Sequence, residues 1–573
     1  MLIYRLSLLF FCLLIPSILW SSTPNDWEAP DNYEVQIDSS GFSFPTSIQF
    51  VTNPGSDPKS PLYYVTELRG RIKVVTQDRS VSIFAEETEG LRPKKELPDL
   101  KGEFGMTGLC LDEAAGQMYV TSAYYKGALL FNKIMRFGSP EGKLGLKGTK
   151  NWEMTDVFSQ DSSSHAHQIG NCFIGSDKKL YVGIGDGHMH HKAQLLQHAN
   201  GKLLRMNLDG TAPKDNPFFE PKTPNSIASY VFAYGLRNPH SLAEGPQGEV
   251  YIAENGPNID RLVQIVPGRN YLWDGSNASM LINGIVTWSP SIGPASMVYL
   301  EDHPAFAQWH NSLLVSASQR AFIQAVPIDN ELGATAPPET FLKKTGKEHQ
   351  YLVAVAIGSD GIYFADFLPP PQGSNHIMKV VPSSKKTGTS KLQSRSGESW
   401  YAQLECSACH SISGKGGKAG PALDNLVLRL EDHLNSKEYE EELAKIEKLN
   451  EPIFVQYKEE RSQLRQLKGR NRVKYWINMH LKEPRFDNPE AQMPNFQLSD
   501  EQSEALTSYL MTLTAEDKRR QKSVLHQWAN DLKFYLSAHL NLWLGISVLF
   551  GILFGIGGKA LFRFFWRLIF VRK

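Results

Sequence analysis

The chain has 573 residues, 41% of them hydrophobic, and carries 60 lysines and arginines against 60 aspartates and glutamates. At roughly 100 to 200 residues per domain, this length excludes a single small module. The composition is close to that of ordinary globular proteins and excludes disorder over the whole chain. The zero net charge gives no global electrostatic reason to expect nucleic acid as a partner, so we predict none.

Residues 1–22 form a predicted secretory signal peptide. They carry one charge, Arg5, followed by an apolar run from Leu6 to Trp20 and then by small polar residues. This order of charged, apolar and polar segments is typical of an export signal. An uncleaved N-terminal anchor is the alternative, and both interpretations export the chain.

Residues 35–382 contain a repeated strand motif. A polar turn usually precedes a short aromatic or β-branched strand, and the six copies are Tyr63–Glu67, Met118–Thr121, Leu180–Gly183, Val250–Ala253, Leu313–Ser316 and Ile362–Ala365. Repeating all-β units of this kind are typical of a propeller. We therefore predict an all-β six-bladed propeller over residues 35–382, with a pair of β-sandwiches as the alternative.

Several motifs of this region occur in the order found in one enzyme family. They include His167-Gln168-Ile169-Gly170, Tyr234-Gly235-Leu236-Arg237-Asn238-Pro239, Glu254-Asn255-Gly256-Pro257 and Asn270-Tyr271-Leu272-Trp273. In these motifs the region resembles the soluble glucose/sorbosone or aldose dehydrogenases, six-bladed propellers that use pyrroloquinoline quinone (PQQ) and calcium. The resemblance implies oxidation of an aldose or a related alcohol.

The resemblance implies a catalytic base and two substrate contacts. His167 matches the general base that takes the proton of the sugar C1 hydroxyl, a task that suits a neutral imidazole. Glu103 falls where the family has a sugar-contacting glutamine. Gln168, directly after the base, is the second candidate substrate contact.

The resemblance also implies cofactor contacts. Arg237 and Asn238 match residues that contact PQQ, and an arginine beside a quinone stabilises the negative charge of its reduced form. Gly256 and Pro257 match positions whose backbone carbonyls bind calcium, an ion that prefers oxygen ligands. The family's cofactor-binding lysine falls near Gln319, and Arg320 is its candidate replacement.

This chain departs from the family at three cofactor positions. Tyr351 and Val353 stand where the family has two arginines that bind the PQQ carboxylates, and Arg261 replaces the glutamate of a calcium-linked Asp-Glu pair. Loss of two charge-assisted contacts weakens PQQ binding. Two alternatives therefore stay open: a cofactor-free propeller that binds a ligand or partner, and an enzyme with a different cofactor.

Two smaller groups of residues also have two interpretations each. His188, His190 and His191 share a loop and either bind a metal or are unliganded. Cys110 and Cys172 begin comparable strands, and export permits either a disulfide or two buried thiols.

A second domain follows a predicted linker at residues 383–398. It contains Cys406-Ser407-Ala408-Cys409-His410. The CxxCH spacing lets two thiols bond to the haem vinyl groups while the adjacent imidazole reaches the iron. A thioredoxin-like redox pair is the competing interpretation, and it fails because no strand precedes the motif.

Further motifs extend this assignment over residues 399–515. Together with the CxxCH segment, they are Trp400-Tyr401, Gly420-Pro421-Ala422-Leu423, Met493-Pro494 and Tyr509-Leu510. In them the region resembles a class I cytochrome c, an all-α domain. The resemblance implies haem thioethers at Cys406 and Cys409, iron ligation by His410 and Met493, and a role in electron transfer.

Residues 428–472 are unusually charged, with ten basic and ten acidic residues in 45. We interpret them as a helical hairpin inserted on the surface of the cytochrome domain. A solvated spacer is the favoured role and docking of a partner is the alternative.

The C-terminal part of the chain predicts a membrane anchor. After a predicted juxtamembrane helix at 516–539, residues 540–558 contain no charge and are long enough to cross a bilayer, with a buried globular helix as the alternative. Residues 559–573 contain five basic residues and no acidic residue. The positive-inside rule places such a tail in the cytoplasm and the bulk of the chain in the periplasm or another extracytoplasmic space.

Together, these features predict a membrane-anchored quinohaemoprotein dehydrogenase. The propeller is expected to oxidise the sugar, and a covalently bound haem c is expected to pass the electrons to a respiratory acceptor. In the alternative, only the cytochrome is redox-active and the propeller is a binding module.

Overall fold

The computed structural model describes residues 23–91, 104–127, 129–155, 166–329, 333–334, 338–345, 351–367, 376–383, 396–404, 406–417, 420–449, 452–489, 491, 493, 495–496 and 498–513. The predicted signal peptide, juxtamembrane helix, transmembrane helix and basic tail lie outside these residues, as does most of the linker. Among the helices that are described, none is both long and apolar enough to cross a membrane.

Within the described residues, six antiparallel sheets form the predicted six-bladed propeller. Blade 1 contains Pro45–Phe50, Pro61–Glu67, Arg71–Thr76 and Val81–Glu86. Blade 2 contains Gly105–Asp112, Gln117–Lys126, Leu129–Gly138 and Thr149–Met154. Blade 3 contains Ile169–Ile174, Lys179–Ile184, Lys202–Asn207 and Val231–Tyr234.

The remaining blades follow in chain order. Blade 4 contains Ser241–Glu244, Val250–Glu254, Asp260–Ile265 and Val286–Trp288. Blade 5 contains Pro294–Leu300, Ser312–Ala317, Phe322–Asp329 and Glu339–Lys344, with the two-residue strands Trp27–Glu28 and Gly333–Ala334 added. Blade 6 contains Tyr351–Gly358, Gly361–Phe367, His376–Pro382 and the N-terminal strand Tyr33–Ser40.

The ring of blades is closed by the N-terminal strand. Tyr33–Ser40 pairs antiparallel with His376–Pro382, so both ends of the propeller region share one blade. This pairing covers an edge that would otherwise expose unpaired backbone groups.

Each copy of the repeated motif is the second strand of its blade. These strands are deeply buried; in blade 1, for example, Tyr63, Tyr64 and Val65 are inaccessible to solvent. Aromatic and β-branched side chains suit a strand that is packed on both faces by neighbouring blades. Burying one such side chain stabilises the fold by about 1.5–3 kcal/mol, which explains why the motif recurs.

Short helices and a disulfide complete the propeller. The α-helices are α1 (His190–Ala193) and α2 (Ile227–Tyr230), and the 3₁₀ helices are Pro24–Asp26, Ser279–Leu281 and Pro304–Trp309. Cys110 and Cys172 form a disulfide that joins the first strands of blades 2 and 3. Of the two interpretations open for these cysteines, the disulfide is the correct one.

The cytochrome domain is helical. Its α-helices are α3 (Gly397–Gln403), α4 (Leu426–Leu434), α5 (Lys437–Ile446), α6 (Pro452–Gln456), α7 (Lys458–Gln466), α8 (Gly469–Lys482) and α9 (Asp500–Leu510). The CxxCH segment forms the 3₁₀ helix Cys406–Ala408, and Ser411–Ile412 pairs with Lys415–Gly416. Helix α9 begins with the capping box predicted at Ser499 and Gln502.

The charged segment 428–472 is helical, but it is not a surface hairpin. It comprises most of α4, all of α5, α6 and α7, and the start of α8. Leu434, Leu443 and Leu464 are fully buried in the same core as Trp400 and Leu506. The expectation was wrong because charge density was considered without the apolar residues that recur at helical spacing between the charges.

Candidate functional site

The predicted base His167 forms a buried pair with Asp186. His167 precedes the first strand of blade 3 and Asp186 follows the second, and their Nδ1 and Oδ1 atoms are 2.6 Å apart. The His167 backbone is left-handed, with a φ of 59°, a conformation that is uncommon for residues with a side chain and is found at functional sites. Because Nδ1 donates to the carboxylate, the lone pair of the neutral imidazole is on Nε2.

Three other groups hold Asp186 in place. The Trp273 indole donates to its Oδ2 atom over 2.7 Å, and the His188 backbone N–H donates to Oδ1 over 2.9 Å. Burial raises the pKa of Asp186, but hydrogen bonding and the charge of His167, together with these donors, outweigh it and leave the pKa lowered. Asp186 is therefore a carboxylate at neutral pH and supports a positive charge on His167.

The candidate cofactor residues adjoin this pair. The Arg237 carbonyl accepts from the Asp186 backbone N–H over 2.6 Å. The Arg237 guanidinium donates to the Asn255 carbonyl over 2.6 Å and lies over the Trp273 ring, 5.5 Å from its centroid. The sequence-predicted residues His167 and Arg237 thus belong to one hydrogen-bonded unit.

Asn238 presents a buried acceptor without a partner. Its Oδ1 atom has no hydrogen bond within the described part of the chain. A Cβ added at Gly185 would be 2.7 Å from this oxygen, so the glycine keeps space open beside it. Since buried acceptors are normally satisfied, this oxygen fits a bound group that carries an N–H or O–H donor.

The candidate calcium residues lie in a turn organised by Asp260. This buried carboxylate accepts from four donors: the backbone N–H groups of Gly256, Ile292 and Gly293 and the Ser291 hydroxyl. Burial raises the pKa of Asp260 despite these hydrogen bonds. Pro257 lines a cavity that is described below.

Arg261, the residue that departs from the family, is fully buried and forms an ion pair with Glu254. Its guanidinium also donates to the backbone carbonyls of Tyr271, Ser279 and Ile282. The other Glu254 oxygen accepts from the Arg237 backbone N–H over 2.7 Å. The positive charge of Arg261 is therefore satisfied by protein oxygens and anchors the loop that carries Arg237.

Other predicted residues lie apart from the base. Arg320 is exposed, and its Nε atom donates to the Ser291 carbonyl over 3.3 Å. Tyr351 and Val353 are half-buried in the first strand of blade 6 and present no positive charge there. Glu103, the predicted substrate contact, lies outside the described residues.

The structure also describes Gln168 and the three histidines of the following loop. Gln168 is buried, and its side chain donates to the Ala166 carbonyl over 3.2 Å. The His188 ring stacks on His167 with centroids 4.0 Å apart. His190 and His191 begin α1, with their ring centroids 6.1 Å apart.

The CxxCH segment lines a second site. Cys406 and Cys409 are free thiols, and burial raises the pKa of Cys406 to about 11. The His410 Nδ1 atom hydrogen-bonds to the Pro421 carbonyl over 2.8 Å. Such a bond to a carbonyl orients an imidazole that binds a metal through its other nitrogen.

A cavity of about 1300 Å³ contains these residues. Cys406, Cys409, His410 and Met493 all line it. A Cβ added at Gly420 would lie 2.4 Å from His410 Cε1, so this position admits only glycine beside the ring. The volume, the two thiols and the oriented imidazole fit a covalently bound haem.

Residues of both domains line this cavity. The propeller contributes Pro257, Asn258, Ser291, Gln319 and Arg320. Asn255, two residues before Pro257, accepts the Arg237 hydrogen bond at the first site. The short segment from Asn255 to Asn258 thus has one end at the first site and the other end on the cavity.

Sequence reasoning missed Asp186 and Trp273 as functional residues. Trp273 ends the motif Asn270-Tyr271-Leu272-Trp273 and Asp186 follows the third copy of the repeated strand motif, but their hydrogen bond joins residues 87 positions apart. The position of Asp186 at the end of a buried strand, beside the strand that follows His167, was the available signal.

Comparison with known proteins identifies both domains. The family model for glucose/sorbosone dehydrogenase matches residues 45–366, and that for cytochrome c matches residues 394–461. The chain thus joins a sugar dehydrogenase propeller to a cytochrome c domain. Because the first match covers more than half of the chain, the protein belongs to the glucose/sorbosone dehydrogenase family.

Individual relatives match parts of the propeller. Quinoprotein glucose dehydrogenase B of Acinetobacter calcoaceticus is 38% identical over 138 residues, which cover 21% of this chain and 28% of that protein. An aldose sugar dehydrogenase of Escherichia coli is 24% identical over 262 residues, covering 42% and 67%. The chain therefore spans little more than a quarter of the first relative's length.

Among solved structures, the PQQ-bound aldose sugar dehydrogenase of Streptomyces coelicolor is 23% identical, with a TM-score of 0.47. The similarity covers 62% of this chain and 99% of that structure.

Proposed function

We propose that this protein is an exported, membrane-anchored quinohaemoprotein that oxidises an aldose or a related alcohol with PQQ. Electrons then pass to haem c and on to a respiratory acceptor. The observation that carries the proposal is the buried His167–Asp186 pair, which lies in one hydrogen-bonded unit with Arg237 and Trp273. This arrangement supports a base poised to remove a hydroxyl proton.

The propeller residues have distinct roles in this proposal. Nε2 of His167 takes the proton of the substrate hydroxyl, and Asp186 stabilises the resulting imidazolium. PQQ, when bound, supplies the acceptor for the hydride. Arg237 contributes positive charge at this site, and the unpartnered Asn238 oxygen is available to hold the cofactor.

The part of the proposed PQQ site that departs most from the family is the part that would bind the PQQ carboxylates. The positions of Tyr351 and Val353 lack the arginines of the family, and Arg320, the candidate replacement for the family's lysine, lines the cavity that contains His410. Gly256 and Pro257 are the candidate calcium residues, through their backbone carbonyls. We propose Gln168 and Glu103 as substrate contacts.

The cytochrome domain carries the electrons in this proposal. Cys406 and Cys409 bind the haem, and His410 and Met493 bind its iron. The chain runs from Asn255, which accepts a hydrogen bond from Arg237, to Pro257 and Asn258, which line the cavity, and this short connection supports direct transfer between the two sites. Ligation by histidine and methionine leaves no open iron position, which suits a carrier.

Export and anchoring are parts of the proposal that rest on the ends of the chain. The Cys110–Cys172 disulfide supports export, because disulfides persist in oxidising compartments. The apolar segment 540–558 and the basic residues after it support a C-terminal anchor with the catalytic domains in the periplasm.

The test is substrate-dependent reduction of the haem. Purified full-length protein is given PQQ, calcium and a panel of aldoses, and the haem α-band is recorded. We expect reduction in the wild type and in His191→Ala, an exposed control in α1, and none in His167→Ala. A haem that responds to dithionite but never to PQQ and sugar contradicts the proposal.

A second candidate function is supported by Tyr351 and Val353. Without positive charge at these positions, the propeller is either a ligand-binding module beside an electron-transfer cytochrome or an enzyme with another cofactor. Absence of PQQ binding by calorimetry, with intact haem reduction by dithionite, favours this candidate.

A further inference from the structure

Helix α8 contributes a polar residue to an otherwise largely apolar wall of the haem cavity. Its cavity-lining residues are Trp476, Ile477, His480 and Leu481. Trp476 and His480 are four positions apart and so lie on one face of the helix. Their rings stack at 13° with centroids 4.4 Å apart.

The His480 imidazole is not committed to another group of the protein. Its Nδ1 atom is buried and has no hydrogen-bond partner among the described residues. Burial lowers the pKa of His480, so the ring is neutral at physiological pH. His410, in contrast, is held by the Pro421 carbonyl.

The ring that stacks on His480 is held firmly. The Trp476 indole donates to Asp487 Oδ2, which also accepts from the Tyr439 hydroxyl. This network fixes Trp476, and the stack in turn keeps the His480 ring on the cavity wall. A buried polar atom without a partner destabilises the fold, so such a placement calls for a ligand.

We infer that His480 is a second ligand for the haem iron, which takes the sixth position when Met493 leaves it. The inference rests on the haem binding proposed above. The exchange breaks an iron–sulfur bond and forms an iron–nitrogen bond, with no change in electrons or protons. A neutral imidazole is a good iron ligand, and replacing a thioether by it lowers the haem potential.

The consequence is a cytochrome with two states. With Met493 bound, the haem is a stronger oxidant and accepts electrons from the propeller. With His480 bound, it is a weaker oxidant, so the same site passes electrons less readily. Exchange between Met493 and His480 would therefore regulate the haem potential while the cofactor stays the same.

The experiment uses the full chain with covalently attached haem and compares variants that lack Met493. Met493→Leu removes the thioether and keeps the apolar volume. Met493→Leu with His480→Ala removes both candidate ligands. Met493→Leu with His433→Ala is the matched control, because His433 is the other histidine on the cavity wall besides His410.

We expect ferric Met493→Leu to remain low-spin by absorption and electron paramagnetic resonance, with a lowered reduction potential. The control should behave identically. The variant that also lacks His480 should become high-spin, and its ferrous form should bind carbon monoxide without having to displace a ligand. Met493→Ala is measured in parallel, because it removes the thioether with a different change in volume.

A high-spin haem in Met493→Leu and in Met493→Ala, both of which keep His480, would overturn the inference. A haem that stays low-spin after His480 is removed would also overturn it, and so would a haem that becomes high-spin when His433 is removed. All spectra are recorded without sugar or PQQ, so failure of the dehydrogenase activity does not affect them. A wild-type chain without covalent haem would overturn the electron-transfer proposal, and this inference with it.

Discussion

The buried Arg261–Glu254 pair makes a sharp prediction about the propeller. Both side chains are inaccessible to solvent. Arg261→Met would leave the Glu254 carboxylate without its counter-ion and three carbonyls without their donor. Breaking a buried pair by removing one partner costs about 3–5 kcal/mol. Since Glu254 keeps its bond to the Arg237 backbone, we expect the lower end of that range.

The measurement is unfolding in urea, followed by near-ultraviolet circular dichroism for the propeller and by the haem Soret band for the cytochrome. Lys343→Met is the control, because Lys343 and Glu28 form an exposed pair in the same propeller, 3.1 Å apart. Removing such a pair costs under about 1 kcal/mol.

A double variant isolates the charge interaction. Arg261→Met with Glu254→Gln removes the uncompensated carboxylate, so its cost should be smaller than the sum of the two single variants by about 0.5–3 kcal/mol. If Arg261→Met is no more destabilising than Lys343→Met, or if the two substitutions are additive, the pair does not anchor the loop as argued here.

Three further predictions concern the dehydrogenase site, its pH dependence and the disulfide. Asp186→Asn should slow sugar-dependent haem reduction about 10- to 150-fold, the equivalent of a charge-assisted hydrogen bond of about 1.5–3 kcal/mol, while PQQ affinity by calorimetry stays unchanged. The pKa of Asp186 is lower in the folded state than in the unfolded state. The stability that Asp186 contributes is therefore fully present above its unfolded pKa of about 3.9 and is lost as the pH falls through the folded pKa. The unfolding free energies of the wild type and of Asp186→Asn should converge below about pH 4. Cys110 and Cys172 are 62 residues apart, so replacing both by alanine should destabilise the propeller by about 4 kcal/mol in urea unfolding. Equal unfolding midpoints for this variant and the wild type would contradict a disulfide in the native protein.

The fold was predictable because its signals are local and repeated. Each blade contains one strand whose aromatic and β-branched residues must be buried, so the motif appears six times in the sequence. The pairing of Tyr33–Ser40 with the last blade has no such signal, because it depends on the ring closing. The CxxCH segment is similarly local, since its covalent chemistry requires consecutive positions.

Residues of the candidate sites were predictable only where a family motif contains the residue and implies its role. The roles of His167 and Arg237 follow from the family motifs that contain them, whereas the roles of Asp186 and Trp273 depend on a contact across 87 residues. His480 gives no signal in the sequence either, because its character depends on burial and on a missing partner. Contacts between distant residues are what a single sequence does not contain.

The position of Arg320 changes the interpretation of the departures at the cofactor site. The sequence suggested that it replaces a cofactor-binding lysine, yet it lines the cavity that also contains His410. Its anchor is the Ser291 carbonyl, and the adjacent Gln319 N–H donates to the Ile292 carbonyl. Its positive charge therefore lies on the wall of the cavity that is proposed to hold the haem.

Asp260 connects two turns on the propeller side of the cavity through hydrogen bonds. It accepts from Gly256 on the candidate calcium turn and from Ile292 and Gly293 on the turn that anchors Arg320. Residues next to both turns, Pro257 and Ser291, line the cavity, so one buried carboxylate fixes the relative position of two segments of its propeller side. Unlike Arg320, whose side chain is exposed, Asp260 cannot be replaced without leaving several buried N–H groups unsatisfied. Asp260 therefore joins the turn at Gly256 to the turn at Ile292 and Gly293 through a buried set of hydrogen bonds.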